Sequence, residues 1–203
     1  AEIGGLHVTL SGGEAFMHKD LMEIVKYCRE KDLKISILSN LISLKDEDIP
    51  VLKEANISLV QTSLYAIEPE IHDAITTVPG SCEKTKAAIE KLIAADIPVQ
   101  ISCPVMKTNK DAYINVLKYA HEHQIQAQTD YIMMARADFS TDNLEQRLSY
   151  EETETLLRGI IEHDVEFRKE TLKKIPKSEL MILDFEAFKK QPLCGVGYDN
   201  CCI

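Results

Sequence analysis

The sequence predicts an α/β fold built on a parallel sheet, because β-rich runs alternate with amphipathic helices along its first 137 residues. The predicted strands lie within residues 5–10, 31–40, 55–66, 95–106 and 123–134. Strands that alternate with helices pair in parallel through right-handed crossovers. The pattern therefore predicts a barrel or an open doubly wound sheet, and both collect ligands at the carboxyl ends of the strands.

Helical periodicity fills the gaps between these strands. Leu21, Ile24, Val25 and Cys28 recur at the spacing of one helix face, and residues 81–95 and 109–123 repeat the pattern. A small polar residue precedes the apolar start of four strands. These four residues are Asp32, Asn56, Asp96 and Gln124. Because Asn and Asp tolerate the left-handed conformation, we expect helices to end at these positions.

The alternation of predicted strands and helices ends after residue 137. Residues 138–149 are polar and typical of a loop, whereas 149–174 predict one long helix that begins with a capping box of Ser149 and Glu152. A second helical or mixed segment follows at 178–190. We therefore divide the chain into a core at 1–137, a helical linker region at 138–193 and a final segment at 194–203.

Composition narrows the class of protein. The net charge of −10 disfavours a nucleic-acid partner or an anionic membrane surface, and no apolar run is long enough to span a bilayer. Three of the six cysteines, Cys28, Cys82 and Cys103, lie in apolar elements and are expected to be buried thiols. No export signal is visible, so we expect a reducing, cytoplasmic location.

The turn after the first strand carries the most specific chemical signal. Gly12 and Gly13 allow a ligand to approach the backbone, but a phosphate would not favour the carboxylate of Glu14 beside it. A carboxylate attracts an ammonium group, and the nearby amides can hold a carboxylate of the same ligand. The turn therefore predicts a site for the amino-acid end of a zwitterionic cofactor. The alternative is a glycine turn followed by a helix-capping Glu.

Three stretches of the chain resemble one enzyme family. Residues 7–28, HVTLSGGEAFMHKDLMEIVKYC, are similar to the second strand, Gly-Gly-Glu turn and helix of radical S-adenosylmethionine (radical SAM) enzymes. Residues 59–109 follow the fourth and fifth strands of the subgroup with a SPASM or twitch C-terminal extension. Residues 192–203, PLCGVGYDNCCI, resemble the opening of that extension. The resemblance implies a partial parallel (β/α) barrel, with about five strands present and a helical C-terminal segment.

The resemblance also implies a cofactor pocket for S-adenosylmethionine at the strand ends. Its expected residues are Gly12, Gly13, Glu14, Ser39, Asn40, Ser63 and Met134. The glycines and Glu14 would hold the methionine moiety, while Ser63 would bind the ribose or the carboxylate. Ser39 and Asn40 would line the pocket, and backbone around Met134 would meet the adenine.

The sequence contains only some of the cysteines that bind iron–sulfur clusters in this family. Its catalytic 4Fe-4S cluster is bound by a Cys-x3-Cys-x2-Cys loop, and that spacing is absent from the 203 residues. Cys194 would ligate an auxiliary cluster. We therefore expect a piece of a longer enzyme that lacks the first strand and most of the SPASM region. We expect such a piece to be inactive by itself, and we assign it no catalytic residues. We also expect it to self-associate at the truncated edge of the barrel, where a strand lacks its neighbour.

The function implied by the resemblance is that of a peptide or protein maturase. In the whole enzyme, a donor such as flavodoxin or ferredoxin would reduce the cluster. S-adenosylmethionine would then be cleaved to a 5′-deoxyadenosyl radical that abstracts a substrate hydrogen. One alternative is an aldolase-like barrel, which would need a Lys or an acid pair at the strand ends. The other is a non-enzymatic α/β module for ligand binding or assembly.

Overall fold

The computed structural model describes residues 6–136 and 138–163, and its central element is one five-stranded sheet. The strands are β1 (His7–Leu10), β2 (Lys34–Ser39), β3 (Leu59–Ser63), β4 (Val99–Pro104) and β5 (Gln126–Asp130). They lie side by side in chain order, and every neighbouring pair is parallel. The predicted α/β class, strand number and parallel pairing are thus confirmed.

Six α-helices accompany the sheet in the described part of the chain. They are α1 (Leu21–Glu30), α2 (Asp48–Glu54), α3 (Pro69–Thr76), α4 (Ser81–Ala94), α5 (Tyr113–Glu122) and α6 (Tyr150–His163). Helices α1, α4 and α5 match the predicted periodic segments. The sequence did not predict α2 and α3, because seven or eight residues are too few for a clear helical period. No helix among the described residues is long and apolar enough to cross a membrane.

Short 3-10 turns lie at Ala15–Met17 and Asp142–Gln146, the second of them within the segment predicted as a loop. Helix α6 begins with the predicted capping box: the Ser149 N–H donates to Glu152 and the Glu152 N–H donates to Ser149 Oγ. The remainder of the predicted long helix, the segment at 178–190 and the final segment lie outside the described residues. The three-part division of the chain stays a prediction.

The four predicted helix ends adopt the left-handed conformation. Their φ angles are +55° at Asp32, +54° at Asn56, +53° at Asp96 and +57° at Gln124. In each case the next residue, a Leu or an Ile, donates its N–H to the carbonyl five residues earlier, at 3.0–3.3 Å. This is the hydrogen bond of a Schellman motif, and its apolar residue leads the chain into the following strand.

The sheet has two different faces. Apolar side chains on one face are almost fully buried, among them Ile35, Ile37, Val60 and Ile101. Alternate residues on the other face are polar and more exposed, which is unusual for a parallel sheet, since such sheets are commonly covered on both sides. This polar face leads to the carboxyl edge of the sheet, where parallel sheets collect their ligands.

The Asp73 side chain holds the connection between α3 and α4 by hydrogen bonds. Its carboxylate accepts hydrogen bonds from Gly80 N–H at 2.5 Å, from Ser81 Oγ at 2.9 Å and from Cys82 N–H at 2.9 Å. The carboxylate therefore caps the amino terminus of α4. These hydrogen bonds, led by the one from Cys82, lower the pKa of Asp73 below its ordinary value of 3.8.

Replacing Asp73 with asparagine is expected to destabilise the fold in a pH-dependent manner. Because the folded-state pKa is depressed, the carboxylate contributes its stability above about pH 4 and loses it as the pH falls through the folded-state pKa. The difference in unfolding free energy between wild type and Asp73→Asn should therefore shrink in acid. Urea denaturation at pH 7 and pH 3 measures this difference, with Asp111→Asn, at an exposed position, as the control. A difference that is the same at both pH values would contradict this assignment.

Candidate functional site

Glu14 connects the turn after β1 to the carboxyl end of β2. Its Oε1 accepts the Phe16 N–H at 3.1 Å and the Ser39 hydroxyl at 2.5 Å, while its Oε2 accepts the Asn40 N–H at 2.8 Å. The first bond caps the 3-10 turn, so the capping alternative considered for Glu14 is partly realised. The other two bonds cross from one βα unit to the next, which a local capping role does not require.

These bonds leave one acceptor position on the Glu14 carboxylate. A carboxylate offers about four lone-pair sites, and three neutral donors fill two sites on Oε1 and one on Oε2. The remaining site on Oε2 lacks a partner among the described residues. A half-buried carboxylate held in place by neutral donors keeps its negative charge available, so it can bind an ammonium group.

A cavity of about 260 Å³ opens beside this carboxylate. The residues that line it are Gly13, Glu14, Leu38, Ser39, Asn40, Gln61, Thr62, Ser63 and Ser102. Five of the predicted cofactor residues therefore meet in one place: Gly13, Glu14, Ser39, Asn40 and Ser63. The volume falls below the roughly 300–1,000 Å³ of complete small-molecule pockets, so the cavity fits part of a cofactor.

Two other predicted residues lie apart from this cavity lining. Gly12 shapes the turn with φ of +147°, a conformation that residues with a Cβ rarely adopt. Met134 follows β5, is 77% exposed and receives a hydrogen bond from the Asn143 amide on its carbonyl at 2.8 Å. The adenine contact assigned to Met134 stays a prediction, and so does the cluster ligand Cys194, which lies outside the described residues.

Sequence reasoning missed four residues that line the cavity: the apolar Leu38 and the polar Gln61, Thr62 and Ser102. Thr62 lies opposite Ser39 in the strand register, and Ser102 lies opposite Ser63. Thr62 is 1% exposed, and its hydroxyl has no hydrogen-bond partner in the described structure. The polar end of the fourth strand could have pointed to Ser102, but Thr62 looks like an ordinary strand residue.

The described cysteines do not form a reactive or metal-binding group. All three are free and buried, as the sequence predicted. Burial raises the pKa of the Cys82 thiol to about 11 and that of Cys103 to about 12, so both are protonated at neutral pH. Across residues 6–136 and 138–163, no three His, Cys, Asp or Glu side chains converge as metal ligands. These residues therefore do not fit an iron–sulfur cluster, and we derive no step through one.

The pocket does fit the amino-acid end of S-adenosylmethionine. The free acceptor on Glu14 matches an ammonium group, and Thr62, whose buried hydroxyl has no described partner, belongs to the same cavity lining. A Cβ added at Gly12 or Gly13 would meet no atom within 4 Å, so the turn leaves open space for a ligand.

Comparison with known proteins identifies the family of the chain. The family model described as the radical SAM superfamily matches residues 1–120, and the chain therefore belongs to that superfamily. The chain is 33% identical over 122 residues to an AdoMet-dependent heme synthase of Methanosarcina barkeri, covering 60% of this chain and 35% of that protein. It is 30% identical over 120 residues to a PqqA peptide cyclase of Methylocella silvestris, covering 59% of this chain and 32% of that protein.

The chain thus spans about a third of the length of these curated relatives. Its fold matches the crystal structure of Streptococcus suis SuiB bound to S-adenosylmethionine, with a TM-score of 0.62 at 14% identity, covering 78% of this chain and 37% of SuiB. The predicted family and the partial-barrel fold are confirmed. Since the relatives are enzymes, the chain belongs to an enzyme class, and neither alternative from the sequence is retained.

Proposed function

We propose that this chain forms the S-adenosylmethionine-binding core of a radical SAM maturase that acts on a peptide or protein. The observation that carries the proposal is the Glu14 carboxylate, held by three neutral donors with one acceptor site free at the cavity. An ammonium group would occupy that site. The Ser39 hydroxyl and the Asn40 N–H fix the carboxylate before the ligand arrives, which lowers the cost of ordering it.

Different residues of the cavity would bind different parts of the cofactor. Glu14 would bind the methionine ammonium, and the Gly13 backbone would let the methionine approach closely. The hydroxyls of Thr62, Ser63 and Ser102 would hydrogen-bond to the ribose or the carboxylate. When bound and supplied with one electron by a reduced cluster, S-adenosylmethionine would provide methionine and a 5′-deoxyadenosyl radical, and that radical would take a hydrogen atom from the substrate. The residues of this chain bind and orient the cofactor at the edge of the sheet.

The proposed substrate class is supported by the relatives and by the composition. One relative is named as a peptide cyclase, and the net charge of −10 disfavours a nucleic-acid substrate. The proposal also includes a 4Fe-4S cluster, an auxiliary cluster ligated by Cys194, a flavodoxin or ferredoxin donor and a cytoplasmic location. Self-association at the β1 edge, where no partner strand is present among the described residues, belongs to the proposal too.

Replacing Thr62 with valine is expected to weaken cofactor binding without destabilising the fold. The change removes a buried hydroxyl that has no described partner and keeps the shape of the side chain. The free energy of unfolding should therefore stay equal or rise. Affinity for S-adenosylmethionine should fall by about two- to tenfold, the effect of one neutral hydrogen bond. Equilibrium dialysis with labelled S-adenosylmethionine measures the affinity, and urea denaturation measures the stability.

Thr129→Val is the matched control, since Thr129 lies in β5 outside the cavity lining. That variant should bind the cofactor as the wild type does. An unchanged affinity in Thr62→Val, or an equal loss in both variants, would remove Thr62 from the proposed pocket.

A further inference from the structure

A patch of uncharged amides lies on the polar face of the sheet. In the strand register Gln61 lies opposite Gln100, and Gln100 lies opposite Gln126, so one row of glutamines crosses β3, β4 and β5. Gln128 lies on the same face, two residues beyond Gln126 and opposite Ser102. We call Gln61, Gln100, Gln126 and Gln128 the glutamine patch.

The amides of this patch are free to bind a ligand. Gln61 and Gln100 are half-buried and Gln126 and Gln128 are exposed. Hydrogen bonds among the residues that the structure describes do not engage the side-chain amide of any of the four. Each amide offers one acceptor oxygen and two N–H donors. Four such groups side by side form a surface that can donate and accept at the same time.

The patch adjoins the proposed cofactor cavity. Gln61 lines that cavity, and Ser102 connects the cavity to the patch because it lies opposite Gln128 in the register. A ligand that covers the patch would therefore lie beside the cofactor, where a hydrogen atom could be abstracted from it.

The charge of the three strands that carry the patch limits the class of ligand, since the basic residues on this face, His7 and Lys34, lie on β1 and β2. No residue of β3, β4 or β5 is a Lys, an Arg or a His, and the only charged residue of the three strands is Asp130. A phosphate or carboxylate that covers the patch would find no cation on β3, β4 or β5, so an anionic ligand would lose its water there without a charged partner. A neutral ligand with alternating donors and acceptors suits the patch, and a polypeptide main chain has this chemistry.

The spacing of the patch also suits an extended chain. Gln126 and Gln128, two residues apart on one strand, are separated by roughly 6.6 Å, which is the repeat of groups on one side of an extended peptide. We propose that the glutamine patch binds the main chain of an extended, uncharged segment of the substrate beside the cofactor cavity. This inference rests on the proposed function and specifies how its peptide substrate is held. Main-chain recognition would tolerate varied side chains along that segment.

NMR titration of the ¹⁵N-labelled chain tests the inference. The probes are the capped peptide acetyl-Gly-Ala-Ser-Ala-Gly-Ser-Ala-amide and, in a separate titration, GTP with Mg²⁺. The peptide, added to about 10 mM, should shift the side-chain NH₂ signals of the patch, whereas GTP should leave them unchanged. No shift with the peptide, or an equal shift with GTP, would overturn the proposal.

Leucine variants give a second, independent comparison. The double change Gln100→Leu and Gln126→Leu should weaken peptide binding about four- to a hundredfold, since each lost hydrogen bond is worth two- to tenfold. Gln146→Leu, the same change in the 3-10 turn at Asp142–Gln146, should leave peptide affinity unchanged. Unweakened binding in the double variant contradicts the proposal. If the double variant loses its dispersed spectrum, Gln128→Leu at an exposed position replaces it, with a weakening of two- to tenfold expected.

A titration of the same sample with S-adenosylmethionine separates this inference from the proposed function. Shifts at Gly12, Gly13 and Glu14 without a peptide response would refute the patch and leave the cofactor site standing. A peptide response without shifts at the turn would support the patch as a peptide-binding surface and refute the cofactor site.

Discussion

Replacing Glu14 with glutamine is expected to weaken S-adenosylmethionine binding by about ten- to a hundredfold, the effect of losing a charge-assisted hydrogen bond of roughly 1.5–3 kcal/mol. Glutamine keeps the size of the side chain but has one acceptor oxygen and an NH₂ group. That NH₂ group would face donors that now point at the carboxylate: the Ser39 hydroxyl or the Asn40 N–H. Equilibrium dialysis with labelled cofactor gives the affinity.

A control separates this effect from the change in overall charge. Glu23→Gln removes one carboxylate from an exposed position in α1 and should bind the cofactor as the wild type does. Urea denaturation of both variants shows how much of any loss comes from the fold. If Glu14→Gln binds with wild-type affinity, the carboxylate does not meet the ammonium group.

Alanine at Gly12 and at Gly13 should produce two different defects. Gly12 has φ of +147°, so Gly12→Ala should lower the free energy of unfolding by about 1–3 kcal/mol. Gly13 has no positive φ and a Cβ there meets open space, so Gly13→Ala should change stability by less than about 1 kcal/mol. Because Gly13 lines the cavity, its added methyl should weaken cofactor binding about tenfold, or roughly 1.4 kcal/mol.

Each alanine variant serves as the control for the other, and both are measured by urea denaturation and by equilibrium dialysis. A stable Gly12→Ala variant would show that the turn tolerates a side chain at this φ. A Gly13→Ala variant with wild-type affinity would show that the cofactor does not approach the backbone at Gly13.

The helix ends were predictable from sequence because their signal is local. Asp32, Asp96 and Gln124 each follow a periodic helix and precede a Leu or an Ile that leads into a strand, and Asn56 precedes such an Ile after the short α2. The left-handed cap needs only those neighbours. Helices α2 and α3 were not predictable, because about two turns each are too short to show a helical period of apolar residues.

The candidate site was predictable only in part, since its contacts depend on register. The Gly-Gly-Glu turn marked Glu14, but the bond from the Ser39 hydroxyl requires β1 and β2 to be aligned as neighbours. Thr62 and the glutamine patch have no local signal at all. Their neighbours are known only when β2, β3, β4 and β5 are aligned in register.

The most direct test of the central claim is a comparison of two ligands on the ¹⁵N-labelled chain by NMR. We expect S-adenosylmethionine to shift the backbone amide signals of Gly12, Gly13, Glu14 and Asn40, and inorganic phosphate at the same concentration to leave them in place. Shifts at these amides with phosphate, and none with S-adenosylmethionine, would show that the turn binds an anion and would contradict a cofactor site at Glu14.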